Sequence, residues 1–184
     1  CEIRIKFSDI PPELRKFIVI ASIFSLGNFS YMLFLLRAQS HFSGKEAIAF
    51  SLLLYILFNL VYAVLAMPVG IWSDRIGRKK VLLLGYAIYA FTAIGFALVS
   101  SITGLIILFT LYGLVFALVD GSERAFVTDL CRSQVRGTSY GIYYGSVGVA
   151  AIISGLVAGG LWTRFGPESA FIFGAAAAFL ATFL

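Results

Sequence analysis

The chain has 184 residues, of which 60% are hydrophobic and 12% are charged, and its formal net charge is +5. Soluble domains usually carry about twice that share of charged residues, so the composition excludes an ordinary soluble domain. A nucleic-acid partner is not favoured either, because the basic residues stand in short segments between long uncharged runs, where they indicate membrane topology instead.

Uncharged apolar runs predict membrane-spanning helices. Roughly 20 apolar residues cross a bilayer core as a helix, and a backbone in lipid must satisfy its own amides. The run from 81 to 119 is too long for one ordinary span, and small and hydroxyl residues at 100–104 predict a turn within it. The sequence therefore predicts an all-α integral membrane protein with six transmembrane helices, near residues 14–36, 46–69, 79–99, 104–128, 138–162 and 168–184.

The N-terminal stretch differs in composition from the rest. Residues 1–12 are polar enough to be a cytoplasmic linker, and Pro11-Pro12 suits a helix start, where a missing amide costs nothing. Residues 13–184 then form one six-helix unit. We expect both ends to be cut from a longer protein, since no initiating Met is present and the last residues lie inside an apolar run.

Polar side chains in the first two spans are candidates for a solute site. Asn28 belongs to a loose stripe in the first span with Ser25, Tyr31 and Met32. In the second span the polar residues are spaced by four, four and three, which puts them on one helical face. They can bond helices together or form a cavity wall; both interpretations stay open for the second span, and packing is favoured for the first. The second stripe is Ser51, Tyr55, Asn59 and Tyr62.

The most specific pattern reads G-x-x-x-D-R-x-G-R-K-K over residues 70–80, between the second and third spans. We interpret it as a short cytoplasmic hairpin. Gly70 lets the second helix end close to its neighbour, and Gly77 permits a backbone conformation that other residues resist. Asp74 can cap a helix or pair with Arg78. The basic members, Arg75, Arg78, Lys79 and Lys80, keep the hairpin on the cytoplasmic side.

The fourth span holds a charged cluster of Asp120, Glu123 and Arg124. Helical spacing makes Asp120 a neighbour of the other two, so Arg124 can neutralise one acid. Ionisable groups in a span are costly and face protein or water. One interpretation is a proton site or a substrate contact. The other, favoured because Asp129 and Arg132 follow closely, is a salt-bridged cluster near the cytoplasmic end.

Glycines recur every four residues in the fifth span. The spacing lets neighbouring helices approach closely, so we expect a role in helix packing. The residues concerned are Gly141 and Gly145, and then Gly155 and Gly159.

The distribution of the 14 Lys and Arg residues predicts the orientation. One side holds the N-terminal segment, the segment between the second and third spans, and the segment between the fourth and fifth. The other side has only Arg37, Lys45 and Arg164, so the first side should be cytoplasmic. The first side carries Arg4, Lys6, Arg15, Lys16, Arg75, Arg78, Lys79, Lys80, Arg124, Arg132 and Arg136.

The pattern at residues 70–80 resembles motif A, the signature loop of the major facilitator superfamily (MFS). Further segments extend the resemblance over nearly all of the chain and are similar to the seventh, tenth and eleventh helices of a full transporter. They indicate a C-terminal six-helix half, although an N-terminal half stays open because the family repeats its motif. The segments are Pro11–Phe17, Ser25–Ser30, Leu35–Ala38, Asp129-Leu130 and Arg136-Gly137.

The resemblance also implies a role for the motif. In this family the aspartate and arginine of motif A pair with an acid near the inner end of the fourth helix of the same half. The matching residues here are Asp74, Arg78 and either Asp129 or Glu123. Such a network acts as a cytoplasmic latch in alternating access. The fifth span resembles the glycine-rich motif of drug antiporters but lacks its proline, so antiport is not inferred.

We therefore expect one half of a secondary active transporter of a small solute, in the plasma membrane of a prokaryote, with a cytoplasmic N-terminus. The expected partners are the other six-helix half, the lipid bilayer, the solute and, as a candidate coupling ion, the proton. The alternative is a non-transporting sensor or assembly module that retains the fold. No metal-ligand spacing, cofactor motif or nucleophile motif indicates an enzyme.

Overall fold

Helices make up nearly all of the computed structural model, which describes residues 11–40, 45–131 and 135–184. Within these ranges there is no strand, and the all-α prediction is confirmed. Residues 1–10 of the predicted linker, and Arg132 of the charge count, lie outside the described residues, as does the side chain of Lys45. The helices are α1 (Pro12–Gly27), α2 (Tyr31–Gln39), α3 (Lys45–Ile76), α4 (Arg78–Leu98), α5 (Ile102–Leu130), α6 (Arg136–Phe165) and α7 (Pro167–Phe183).

Most of these helices are long and apolar enough to cross a bilayer. Among the described residues five segments meet that condition, the first of them being α1 and α2 together. The last helix, α7, has 17 residues and is equally apolar. The chain is thus a multi-pass membrane protein. The five segments are Pro12–Gln39, Glu46–Ile76, Arg78–Leu98, Ile102–Leu130 and Arg136–Phe165.

The first span consists of two helices, where the sequence predicted one helix near 14–36. Residues 28–30 separate α1 from α2, and Ser30 is the N-cap of α2. The carbonyl oxygen of Gly27, at the end of α1, accepts a 2.7 Å hydrogen bond from the hydroxyl of Tyr89 in α4. Ser154 of α6 donates to the preceding carbonyl, also at 2.7 Å. Neighbouring helices therefore satisfy the backbone groups that the break releases.

The second predicted span continues beyond its expected end near residue 69. α3 runs to Ile76, and only Gly77 separates it from α4. Gly77 has a φ of 100°, in the region that favours glycine. Beyond the adjoining backbone of α3 itself, a Cβ on Gly70 would meet no described atom within 4 Å, so the described residues do not make the close approach expected there. The hairpin of residues 70–80 is thus a continuous helix, a single-residue turn and a new helix.

α4 packs on α5 and α7, α5 also packs on α3, and α1 packs on α6 and α7. Stacked and edge-on rings fill the interior. Phe34 of α2 stacks on Tyr112 of α5 with ring centroids 4.4 Å apart and meets Phe96 of α4 edge-on at 4.9 Å. α1 and α7 approach closely, because a Cβ on Gly27 would lie 2.6 Å from the carbonyl oxygen of Gly174.

The two ends of the bundle differ in the number of basic residues that they carry. At one end Lys16 of α1 and Lys79 of α4 line a common cleft. At the opposite end Arg37 of α2 donates to the carbonyl oxygen of Ala97 at 3.2 Å and pairs with Glu168 of α7 at 2.9 Å. The alternation of spans thus gathers the described residues of the more basic side at one end of the bundle.

Candidate functional site

Three helix ends meet at Arg78, the first residue of α4. Its guanidinium donates through Nε and Nη2 to Oδ1 of Asp74, in the last turn of α3, at 3.2 and 3.0 Å. Its Nη1 donates to the carbonyl oxygen of Ala125 at 2.7 Å and lies 2.6 Å from Oδ1 of Asp129. Because both last residues belong to α5, one side chain joins α3, α4 and α5.

The Arg78 network is only partly shielded from solvent. The Arg78 side chain is 24% exposed, whereas those of Asp74 and Asp129 are 64% and 51% exposed. Exposed ion pairs contribute about 0.2–1 kcal/mol each, so the network holds the helix ends with a modest free energy that a change of conformation can overcome. None of the ion pairs within the described ranges includes Arg75, Lys79 or Lys80, which are exposed.

The two acids considered as partners of Arg78 differ in their surroundings. Asp129 contacts Arg78, and Glu123 does not. Instead, Oε1 of Glu123 accepts a hydrogen bond from the hydroxyl of Tyr86 at 2.6 Å, and Oε2 accepts one from Tyr143 at 2.5 Å. In the described part of the chain no Lys or Arg forms an ion pair with Glu123. The geometry therefore gives Asp129, and not Glu123, as the partner of Arg78.

Asp120, one turn before Glu123 on α5, has a basic partner. Nη2 of Arg124 donates to both carboxylate oxygens of Asp120, at 2.6 and 2.8 Å. The hydroxyl of Tyr62 in α3 donates to Oδ2 at 2.8 Å. The two acids of the charged cluster thus have different partners. Asp120 forms an ion pair with Arg124, whereas Glu123 accepts hydrogen bonds from the uncharged hydroxyls of two tyrosines.

A cavity of about 100 Å³ lies between α1, α5 and α6, beside the break in the first span. It brings together three residues that the sequence singled out, namely Asn28, Asp120 and Glu123. Ser25 adds a fourth polar group, and the remaining lining is apolar. Small-molecule sites usually have such a mainly apolar lining with a few convergent polar groups, and a volume of about 300–1,000 Å³, so this cavity has the lining of such a site but is smaller. Its apolar residues are Ala21, Phe24, Val115, Phe116, Val119 and Val147.

The polar stripe of the second span divides between two environments. Tyr62 reaches the charged cluster through Asp120. The amide of Asn59 donates to the carbonyl oxygen of Tyr55 in its own helix at 2.8 Å, and the Tyr55 ring stacks on Tyr31 with centroids 5.4 Å apart. Ser51 donates within α3 as well. None of the stripe residues lines the 100 Å³ cavity, and Tyr62 is the stripe residue that hydrogen-bonds to a lining residue, Asp120.

The glycines expected to bring helices together lie on an open face of α6. Beyond the adjoining backbone of α6 itself, a Cβ on Gly141, Gly145, Gly155 or Gly159 would meet no described atom within 4 Å. They therefore do not pack against the described part of this chain, where the close approach between helices is instead made by Gly27 and by Gly113, whose Cβ would lie 2.8 Å from the carbonyl oxygen of Phe58.

Tyr86 and Tyr143 are the site residues that the sequence did not reveal. Both are buried, and both occur among many apolar and aromatic residues with no spacing that distinguishes them. They could have been found by considering the tyrosines of the neighbouring spans as hydrogen-bond donors to the intramembrane acids. The sequence also did not indicate the contacts of Arg37, which it marked only as a basic residue of the less basic side. In the structure Arg37 donates to the carbonyl oxygens of Phe96 and Ala97 and pairs with Glu168.

Together, apolar spans, an interrupted first helix and a charged single-residue turn define a polytopic membrane protein with a polar site between its helices. A model of the Major Facilitator Superfamily matches residues 17–184. The chain belongs to this family.

Individual relatives agree with this assignment. The chain is 42% identical to Uncharacterized MFS-type transporter MJ1317 of Methanocaldococcus jannaschii over 98% of its own length, and it spans 46% of that protein. It is 35% identical to Inner membrane transport protein YajR of Escherichia coli over 48% of this chain and 20% of that protein. The chain thus spans less than half the length of these two relatives.

A solved structure shares the fold. The crystal structure of the POT family transporter PepTSo, determined in meso, superposes with a TM-score of 0.76 at 16% sequence identity. The similarity covers 94% of this chain and 36% of that one. At this identity it shows that the fold is shared and says nothing of the solute.

Proposed function

We propose that this chain is one six-helix half, the C-terminal half, of a secondary transporter that moves a small solute by alternating access. The observation that carries the proposal is the cavity at the break in the first span, with Asn28, Asp120 and Glu123 in its lining. Transporters of this architecture bind solutes between two halves, beside interrupted helices. Ionisable groups inside a bundle also favour a functional site, since they are costly to bury in a membrane.

The second half is proposed from the surfaces that the described chain leaves open. α3 and α6 have the least buried apolar segments among the described spans. The open face of α6 carries Gly141, Gly145, Gly155 and Gly159, and small residues allow a second helix to pack closely. A facing six-helix bundle would cover these surfaces and complete the cavity.

We propose that the Arg78 network is the cytoplasmic latch. It joins α3, α4 and α5 at the more basic end of the bundle, away from the cavity lining. Two exposed ion pairs and one hydrogen bond to a carbonyl can form in one state and open in the other. The latch then changes the populations of the two states and does not touch the solute.

Glu123 is the proposed proton-binding group, and an ion gradient is the proposed driving force. A carboxyl group in the cavity lining that forms no ion pair within the described ranges can exchange a proton without breaking one. Asp120 is less suited, because protonation would have to release Arg124. Proton relays in transporters rely on intramembrane acids of this kind.

The test of the function uses the full-length protein that contains this chain, reconstituted in liposomes with a pH-sensitive dye inside. Sugars, amino acids and organic cations are added one at a time under a pH gradient. We expect one class to move protons across the membrane at rates well above those of empty liposomes. If no class does so although the protein is folded and correctly inserted, proton-coupled transport is refuted. A solute that binds without crossing would favour the sensor.

The orientation is tested by cysteine labelling from outside intact cells. We expect Lys79→Cys to remain unlabelled by an impermeant maleimide and Ser43→Cys to react, because the basic residues concentrate at the end that contains Lys79. The control is Lys79→Cys in permeabilised cells, where it should react. Rapid labelling of Lys79→Cys in intact cells, with none at Ser43→Cys, would reverse the topology.

A further inference from the structure

Glu123 is held by two phenols that come from different helices. Tyr86 belongs to α4 and donates to Oε1, while Tyr143 belongs to α6 and donates to Oε2. Aromatic contacts fix both rings. Tyr86 stacks on Phe24 with centroids 4.0 Å apart, and Tyr143 stacks on Phe17 at 6.0 Å. The Glu123 carboxylate therefore joins α4, α5 and α6, and each of its two oxygens accepts one hydrogen bond. We call this arrangement the junction.

We propose that Tyr86 and Tyr143 are positioning residues that couple the charge of Glu123 to the packing of α6 on α5. This inference rests on the proposed transport function and adds to it the mechanical link between proton binding and helix movement. Ionised Glu123 holds the cytoplasmic part of α6 against α5, and protonated Glu123 releases it.

The attachment of α6 makes such a release feasible. α6 packs chiefly on α1 and α7 and has few contacts with α5. Its side-chain hydrogen bonds to α5 within the described ranges come from two tyrosines one turn apart. Tyr143 bonds to Glu123, and Tyr140 donates to the carbonyl oxygen of Arg124 at 2.7 Å and lies 2.6 Å from Oγ1 of Thr128. Weakening the Tyr143 bond therefore removes a large part of the polar attachment.

Protonation of Glu123 changes this junction because it changes the number of hydrogen-bond donors and acceptors on the carboxyl group. A carboxylate accepts only, so it matches two phenol donors. When a proton from the bulk solution forms an O–H bond on one oxygen, that oxygen becomes a donor and keeps part of its acceptor capacity. Where the new O–H points at a phenol, that phenol has to turn its own hydrogen to another acceptor. The remaining bonds also become neutral, and neutral hydrogen bonds are roughly half as strong as charge-assisted ones.

The other charged groups near Glu123 form an ion pair with each other. Asp120 and Arg124 form an ion pair on α5, and α3 contributes only the phenol of Tyr62, which donates to Asp120. α1 contributes Ser25 and Asn28 to the cavity, neither of which titrates. Glu123 is therefore the group in this cluster whose change of charge alters the junction directly. The neighbouring phenols are Tyr86, Tyr143 and Tyr144.

The experiment measures the distance between α4 and α6 as a function of pH in the full-length protein. Spin labels are placed at Lys79→Cys and Arg136→Cys, both on exposed residues at the same end, with the native cysteines replaced by serine. We expect the distance to lengthen as the pH falls. Glu123→Gln, which mimics the uncharged acid, should give the long distance at every pH.

Tyr143→Phe provides the specific variant, since it removes one donor and keeps the ring. Loss of that donor removes the bond between α6 and α5 and also favours the protonated carboxyl. The distance should therefore be long at every pH, and the titration of the carboxyl group itself should move to higher pH by about one unit, corresponding to a tenfold lower proton concentration. Tyr86→Phe keeps the Tyr143 bond, so it should move both the carboxyl titration and the distance transition to higher pH. Tyr144→Phe is the matched control on α6, because its hydroxyl forms no hydrogen bond within the described residues, and it should leave the transition in place.

Infrared titration of the carboxyl band, assigned with Glu123→Gln, reports the proton itself and needs no solute. If the band titrates but the distance stays constant, the coupling is wrong while proton binding stands. If Tyr143→Phe and Tyr86→Phe leave both titrations unchanged, the tyrosines do not position Glu123. A moving helix in a protein that shows no solute-dependent proton flux would instead refute the transport proposal alone.

Discussion

Residues 1–184 reconstituted alone should show no solute-dependent proton movement, whereas the full-length protein should show it under the same conditions. The physical reason is the second half that we propose and that these residues lack. Within the described residues, α3 and α6 leave apolar faces uncovered, and the cavity lined by Asn28, Asp120 and Glu123 has no facing bundle. Alternating access requires two halves that rock against each other around a shared site. A single half has no partner surface against which it can move.

The measurement combines flux with crosslinking of the same liposomes. The control is co-reconstitution with the separately produced other half, which should restore at least part of the flux, since the missing surface returns. Sustained flux by chains that cannot be crosslinked to one another would show that one half suffices, and the prediction would be wrong. Flux by a crosslinkable homodimer would show that a second copy replaces the other half.

Arg78→Ala should lower the turnover of the full-length transporter by about 5- to 150-fold, the range of coupling free energies of 1–3 kcal/mol, with little change in solute affinity. Arg78 bonds to Asp74, Asp129 and the carbonyl oxygen of Ala125, so its loss opens all three contacts together. The effect falls on turnover because these contacts lie outside the cavity lining. Turnover and affinity are measured with the first solute that the proton-flux panel identifies.

Lys79→Ala is the matched control, since it removes a neighbouring positive charge that forms none of the ion pairs of the described chain. It should leave turnover near that of the unaltered protein. Asp74→Asn should have an intermediate effect, because Arg78 keeps Asp129 and Ala125. Hydrogen exchange offers a check without solute, and Arg78→Ala should speed exchange at the adjoining ends of α3, α4 and α5. Normal turnover with lost solute binding would contradict the latch.

The sequence by itself determined the class of protein and the contacts made within a single turn of helix. Apolar runs of sufficient length decide that a segment is a spanning helix, because that preference is a property of the segment and the bilayer. Pairs four residues apart follow from helix geometry alone. The Asp120–Arg124 pair could therefore be read from spacing, and the structure contains it. The Asp74–Arg78 pair has the same separation across the turn at Gly77.

Only the tertiary structure decided which faces of the helices meet. A helix that is apolar on all sides has no polar face to reveal its orientation, so its buried stripe depends on its neighbours. For this reason Asp129 rather than Glu123 meets Arg78, and Glu123 receives two phenols from α4 and α6. The same reason explains the glycines. Spacing singled out those of α6, but Gly27 lies where α1 and α7 cross closely, a position that depends on long-range packing.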